Sequence, residues 1–339
     1  MQFIPFDPST ASGADYEAIT EMRARVQVLD RPGTPPLPLA ATVELLSGQD
    51  AMSFGPRTFW TARDAEGLTG FAVVSLPDRE NTDMALVFIE VDVDRRRQGI
   101  GTAFLRALLP ALQTSGRPRV LALFVVGGSA GEPFAEAMGL ACTIRGVSQT
   151  LETASVDRAL WDVPTPDGYR LHAWDEAAPE ELIASYAEAR KAIDDSPTQD
   201  LVWEGTAWTP QRIRDDEAAV IAAGQYVPVV VAVHEATGEV AGITELIIRP
   251  GEPDQARQMD TAVREEHRGH GLGRAIKAEM MRRLTASRPE VARVTTQTAS
   301  DNTYMIGVNH SLGYTDVRTL AHYEIATEAL VARLRHSAA

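Results

Sequence analysis

From Ile100 onward, apolar residues recur at Ala103, Phe104, Ala107, Leu108, Ala111 and Leu112. That three-and-four spacing lays one apolar stripe along a helix, and Gly116 and Pro118 end it. Short apolar runs flank the stripe. Met84-Ala85-Leu86-Val87-Phe88-Ile89 precedes it and Val120-Leu121-Ala122-Leu123-Phe124-Val125 follows it, and both read as buried strands. The second half of the chain repeats the pattern. Leu272, Ile276, Met280 and Leu284 line a helix face, and residues 291–298 read as the next strand. Upstream, 226–234 and 239–248 read as a hairpin joined near Thr237-Gly238. Helices are expected over 179–192 and 210–223, and the Pro- and Gly-rich stretch 31–38 reads as a loop. The order predicted for the second half is strand, helix, helix, three strands, helix, strand, helix, strand.

The repetition extends to single residues. Val91-Asp92-Val93-Asp94-Arg95-Arg96-Arg97-Gln98-Gly99-Ile100-Gly101 has the same grammar as Val263-Arg264-Glu265-Glu266-His267-Arg268-Gly269-His270-Gly271-Leu272-Gly273. Superposing Gly99 on Gly271 gives an offset of 172, near half of the 339 residues. Downstream, Met138-Gly139-Leu140 matches Leu312-Gly313-Tyr314 at an offset of 174. A repeat of this period means two domains rather than a solenoid. The expected division is 1–151, a linker at 152–167 that carries Pro164 and Pro166, and 168–339.

Composition narrows the function. Hydrophobic residues make up 44% and charged residues 23%, a globular mix. The net charge of −15 repels phosphate backbones and attracts cations, so nucleic acid is not an expected partner and an amine is. No apolar run approaches the roughly 20 residues of a membrane span, and the N-terminus does not read as a signal peptide. Cys142 is the only cysteine, which leaves no intrachain disulfide and no cysteine-based zinc site. A cytoplasmic protein without a metal is expected.

Both glycine motifs read Arg-x-x-Gly-x-Gly and sit between a strand and a helix. Glycine lets backbone N–H groups face outward at a helix start, where the dipole adds positive charge. This is an anion site suited to a pyrophosphate, with Arg96 or Arg268 adding charge. A dinucleotide fold is disfavoured by the spacing and by the several strands that come first, and a P-loop by the missing Gly-Lys-Ser/Thr.

In these motifs the chain resembles the GNAT superfamily of acetyl-CoA-dependent N-acetyltransferases, whose signature is Arg/Gln-x-x-Gly-x-Gly/Ala after a strand. The resemblance covers most of 169–326 and, more weakly, about 55–151. The tandem layout is similar to that of mycothiol synthase and related actinobacterial members. The resemblance implies an α/β (α+β) fold of two GNAT-like domains, each a mixed, largely antiparallel sheet flanked by helices. It implies that Val263, Arg268, Gly269, His270, Gly271, Leu272, Gly273 and Arg274 hold acetyl-CoA. Val91, Arg96, Gly99 and Gly101 are the matching positions in the first copy. The family places an Asn near the pantetheine arm, matched by Asn302, and often a Tyr seven residues on as acid, where this chain has Asn309. The first copy has Gly128 and Ala135 at those places, so it reads as a degenerate domain.

An attacking amine must be neutral, and a carboxylate near the motif strand can take its proton. Glu245 and Asp260 are the candidates, with Glu245 favoured for its reach, and Glu90 is the nearest analogue in the first copy. The Val263 N–H is a candidate oxyanion donor. His267 and His270 read as solvent-facing turn residues rather than metal ligands. The acidic loop 194–200 with Trp203 and Trp208 lies where this fold builds its acceptor pocket, and suits a cationic amine. The expected activity is transfer of an acetyl or short acyl group to a primary amine, on a small molecule or a peptide, in a ternary complex. The alternative is a module that binds acyl-CoA without turnover. The acceptor, the acyl length and the choice between monomer and homodimer stay open.

Overall fold

The computed structural model describes residues 1–47 and 54–336. It divides into two compact units. Unit 1 comprises residues 1–145, 199–204 and 318–339, and unit 2 comprises 146–198 and 205–317. In chain order the elements are β1 (Gln2–Phe6), α1 (Gly13–Asp30), α2 (Leu39–Ser47), β2 (Arg57–Asp64), β3 (Gly67–Ser75), β4 (Met84–Val91), α3 (Ile100–Ser115), β5 (Arg119–Val126), α4 (Gly131–Ala137) and β6 (Ala141–Glu152). There follow β7 (Tyr169–Trp174), α5 (Ile183–Arg190), α6 (Pro210–Ala222), β8 (Val229–His234), β9 (Val240–Arg249), β10 (Glu252–Val263), α7 (Leu272–Ser287), β11 (Arg293–Ala299), α8 (Thr303–Ser311), β12 (Thr315–Ala326) and α9 (Thr327–His336). No helix among the described residues is long and apolar enough to cross a membrane.

In unit 1 the strands run β1-β2-β3-β4-β5-β12, and in unit 2 they run β7-β8-β9-β10-β11-β6. Each sheet is antiparallel except at one place. In unit 1, β4 and β5 pair in parallel from Met84↔Arg119 to Leu86↔Leu121. In unit 2, β10 and β11 pair in parallel from Gln255↔Arg293 to Arg257↔Thr295. Helices cover both faces of each sheet. In unit 2, Leu272, Ile276, Met280 and Leu284 of α7 pack with Val230, Leu246 and Ala256, while Ile183, Tyr186 and Ala187 of α5 pack with Val229, Val231 and Ile243. In unit 1, α3 and α1 do the same through Phe104 and Leu108 on one face and Ile19 and Met22 on the other. Each such buried side chain is worth about 1.5–3 kcal/mol relative to exposure, which is what converts the sequence periodicity into a layered fold.

The units are not consecutive halves of the chain, and this differs from the expected division. Residues 146–152 of β6 pair with β11, from Gly146↔Ala299 to Glu152↔Arg293, inside unit 2. Residues 320–326 of β12 pair with β5 inside unit 1. Each half thus gives its last strand to the other unit. Strand ladders join backbones, so the sequence pattern of β6 does not say which sheet it completes. Nor is 152–167 a free linker. Arg158–Trp161 forms a short 3-10 turn, Trp161 is buried, and its Nε1 donates to the Leu312 carbonyl at 3.0 Å. The segment carries Val156, Leu160 and Trp161, which the unit 2 core absorbs.

Candidate active site

In both units the parallel ladder stops early and the two strands part. Past Arg257↔Thr295, β10 continues to Val263 with no further pairing to β11, which stays paired with β6 through Ala299, and this opens a gap in the sheet of unit 2. The helix after the gap starts on glycine. Gly271 caps α7 at φ 79° with no side-chain cap, and Gly269 before it has φ 80°. In unit 1, Gly99 caps α3 at φ 80° in the same way. By contrast, Ser12 and Asp15 cap α1 and Thr209 caps α6 with their side chains. At α3 and α7 the first-turn N–H groups therefore stay available to an anion. The position of Gly269 is taken in unit 1 by Arg97 at φ 64°, a conformation that costs a non-glycine residue about 1 kcal/mol.

The motif arginines do not point at that anion site. Arg268 donates to the Val263 carbonyl at 3.0 Å and pairs with Asp195. Arg96 donates to the Val91 carbonyl at 3.3 Å and grips Asp30 at 2.7 and 2.8 Å. Each pairs with an aspartate at the end of a helical segment, Asp30 in α1 and Asp195 just past α5, and so ties the turn to that segment. The expectation that Arg96 or Arg268 adds charge to the anion site meets these pairings with Asp30 and Asp195.

The facing of the Val263 N–H follows from its neighbour. Arg264 donates to the Ala241 carbonyl, and alternation along an antiparallel ladder turns the preceding N–H away from β9, toward the gap. In unit 1, Asp92 donates to Thr69 and gives Val91 the same orientation.

The units differ three residues before this point. In unit 2 the β9–β10 register shifts between Gln258 and Thr261, so Met259 and Asp260 together face the span held by Glu245. The β3–β4 ladder of unit 1 has no such shift, and Val73 pairs with Phe88 there. Carboxylates in unit 2 thus stand where unit 1 is apolar.

Glu245 is nearly inaccessible. Arg190 binds both its oxygens, at 2.9 and 2.6 Å, and Tyr186 donates to it at 3.4 Å. The Arg190 guanidinium lies 3.6 Å from the centre of the Trp208 ring and 3.5 Å from Asp260 Oδ2. Burial raises both carboxyls above their ordinary values, and Arg190 pulls them back. Asp260 keeps 34% of its side chain exposed against 4% for Glu245, so it is the carboxylate that can meet a ligand. Sequence reading missed Arg190. Its signal was the Tyr186-x-x-x-Arg190 spacing, which puts both side chains on one helix face toward β9.

Asn302, the residue expected near the pantetheine arm, caps α8 by accepting from the Met305 N–H at 3.1 Å. Other expectations are corrected. Asn309 is fully buried and donates to Gln149 at 2.7 Å, so it holds β6 instead of facing the gap. His267 is buried rather than solvent-facing, 3.0 Å from the Tyr169 hydroxyl, while His270 is exposed. Trp203 does not join Trp208. Leu201 is buried in the core of unit 1 and carries Trp203 with it, edge-on to Phe54. Glu90 is held by Arg23 at 2.8 Å and aligns with Ala262, not with Glu245.

Unit 1 also carries a cavity of about 450 Å³. It reaches from Gly99–Thr102 through the gap between β4 and β5 to α1.

No curated protein matches the chain in sequence. Among solved structures it is similar to a tandem GNAT protein from the clavulanic acid biosynthesis pathway, at 26% identity and a TM-score of 0.78 over 96% of this chain and 98% of that one. A GCN5-related N-acetyltransferase from Sphaerobacter thermophilus shares the fold at 16% identity and a TM-score of 0.68, with 96% of each chain covered. The profile of the acetyltransferase (GNAT) family matches residues 29–139 and again 192–314, one stretch over each glycine turn. With both turns, both gaps and most of its length accounted for in this way, the chain belongs to the acetyltransferase (GNAT) family.

Proposed function

We propose that unit 2 transfers an acetyl or short acyl group from acyl-CoA to a primary amine by direct attack in a ternary complex. The observation that carries this is the bulge at Met259–Asp260, which sets an accessible carboxylate three residues before Val263, beside the gap. The first turn of α7 suits the pyrophosphate of the donor, and the gap suits its pantetheine arm. Asp260 takes a proton from the incoming ammonium, directly or through water, and the neutral nitrogen then bonds to the thioester carbon. The Val263 N–H stabilises the carbonyl oxygen as it gains charge. The C–S bond breaks, the nitrogen sheds its second proton to water or to the departing sulfur, and the sulfur leaves as thiolate, which with a reference pKa near 8.5 requires no dedicated acid. The base role moves from Glu245 to Asp260, because Arg190 occupies both Glu245 oxygens. The acidic surroundings favour an acceptor that is cationic in solution. The relative in clavulanic acid biosynthesis supports a small-molecule acceptor. The test is thiol release from acetyl-CoA with a panel of small primary amines and amine-bearing peptides. Saturable release with at least one amine is expected. No release above hydrolysis with any of them, while acetyl-CoA binds, would overturn the proposal.

A further inference from the structure

The unit 1 cavity is apolar where unit 2 is acidic. On the α1 side of the gap its walls include Val26, Leu37, Phe88 and Leu123. Four of the charged side chains at that end pair with one another. Arg23 holds Glu90 at 2.8 Å, and Arg96 holds Asp30 at 2.7 Å. Phe124 adds an exposed ring from a bulge opposite His322, at φ 57°. A strained conformation on a non-glycine residue at a cavity wall often marks a binding site. At the other end the cavity meets the glycine turn and the available N–H groups of α3. One continuous space therefore joins an anion site to an apolar chamber, with a volume in the usual range for small ligands.

We infer that unit 1 binds a CoA thioester whose acyl chain is longer than acetyl and apolar, and that it holds this ligand without transferring the chain. The inference rests on reading the glycine turn as a CoA site. An ammonium group entering the chamber would lose water and find no free carboxylate, whereas each methylene gains by leaving water. Glu90 is engaged by Arg23, and the register of Asp260 is filled by Phe88, so neither position that carries a carboxylate candidate offers a free base to the gap.

The experiment is calorimetric titration of the full chain with acetyl-CoA and with octanoyl-CoA. Wild type, Gly99→Glu and Gly271→Glu are compared. The Cβ position of each glycine is open, so both substitutions add local strain without a clash. In Gly271→Glu, only unit 1 can bind, and octanoyl-CoA should bind about tenfold or more tightly than acetyl-CoA. Gly99→Glu should lose that preference and keep acetyl-CoA binding. Phe88→Glu should abolish the preference for the longer chain while retaining acetyl-CoA binding. Equal affinities in Gly271→Glu, or no binding there while Gly99→Glu binds, would overturn the inference. Should Gly271→Glu fail to fold, wild type against Gly99→Glu decides, since an octanoyl preference that survives in Gly99→Glu does not belong to unit 1. Amine turnover is measured separately, so its failure leaves these binding results standing.

Discussion

Arg190 grips both oxygens of the Glu245 carboxylate, at 2.9 and 2.6 Å, across 55 residues of sequence. Both side chains are buried, and the guanidinium is sandwiched between this carboxylate and Trp208. Arg190→Ala strands a buried charge and should destabilise unit 2 by about 3–5 kcal/mol. Replacing both partners, as in Arg190→Met with Glu245→Leu, should recover most of that loss. Denaturant unfolding of the three variants measures it. A single variant as stable as wild type would show that the pair contributes little.

Asp260→Asn keeps the shape and removes the basicity. Turnover should fall about a hundredfold, with acetyl-CoA affinity unchanged. Glu245→Gln should act first on the melting temperature and less on turnover. If Glu245→Gln costs more turnover than Asp260→Asn at equal folding, Glu245 is the base.

The pH profile should report the same carboxylate. Burial raises the Asp260 carboxyl above the ordinary aspartate range. Its protonated form cannot accept the amine proton, so kcat/KM should fall as pH drops through that raised value. Asp260→Asn should erase this acid limb, and an unchanged limb would assign it to another group.

Lys277 sits on α7, almost wholly buried, with its ammonium 5.3 Å from the Tyr314 ring. Burial lowers its pKa from 10.5 to about 7. Between those values the unfolded chain binds a proton that the folded chain does not, so this group makes stability rise with pH. The penalty is complete below about pH 7 and gone above about 10.5. Lys277→Met should stabilise the protein by ~2 kcal/mol or more near neutral pH, at roughly 1.4 kcal/mol per pKa unit. The advantage over wild type should shrink toward pH 10. Thermal unfolding across that range checks it, and a constant difference would mean that Lys277 stays charged when folded.

Gly271→Glu places a carboxylate where the anion should bind. Turnover should fall more than about a hundredfold, the scale of losing a preorganised charge-stabilising site. Retained turnover in the folded variant would move the chemistry away from unit 2.

The local features were legible in the sequence because their causes are local. The apolar stripe from Ile100 to Leu112 forms α3, and Gly116 ends it with a left-handed cap, φ 67°. Gly99 and Gly271 are glycines because the chain turns through positive φ there and leaves a helix start uncapped. Such constraints bind a residue to its immediate neighbours and survive in a one-dimensional reading. Three other features arise only when distant segments meet. The exchange of β6 and β12 depends on backbone ladders that any extended strand can join. The bulge at Met259–Asp260 is a mismatch of count between β9 and β10, visible only once their register is set. The fate of Glu245 depends on a helix side chain reaching a strand, and neither residue alone shows whether its charge will meet water or its opposite.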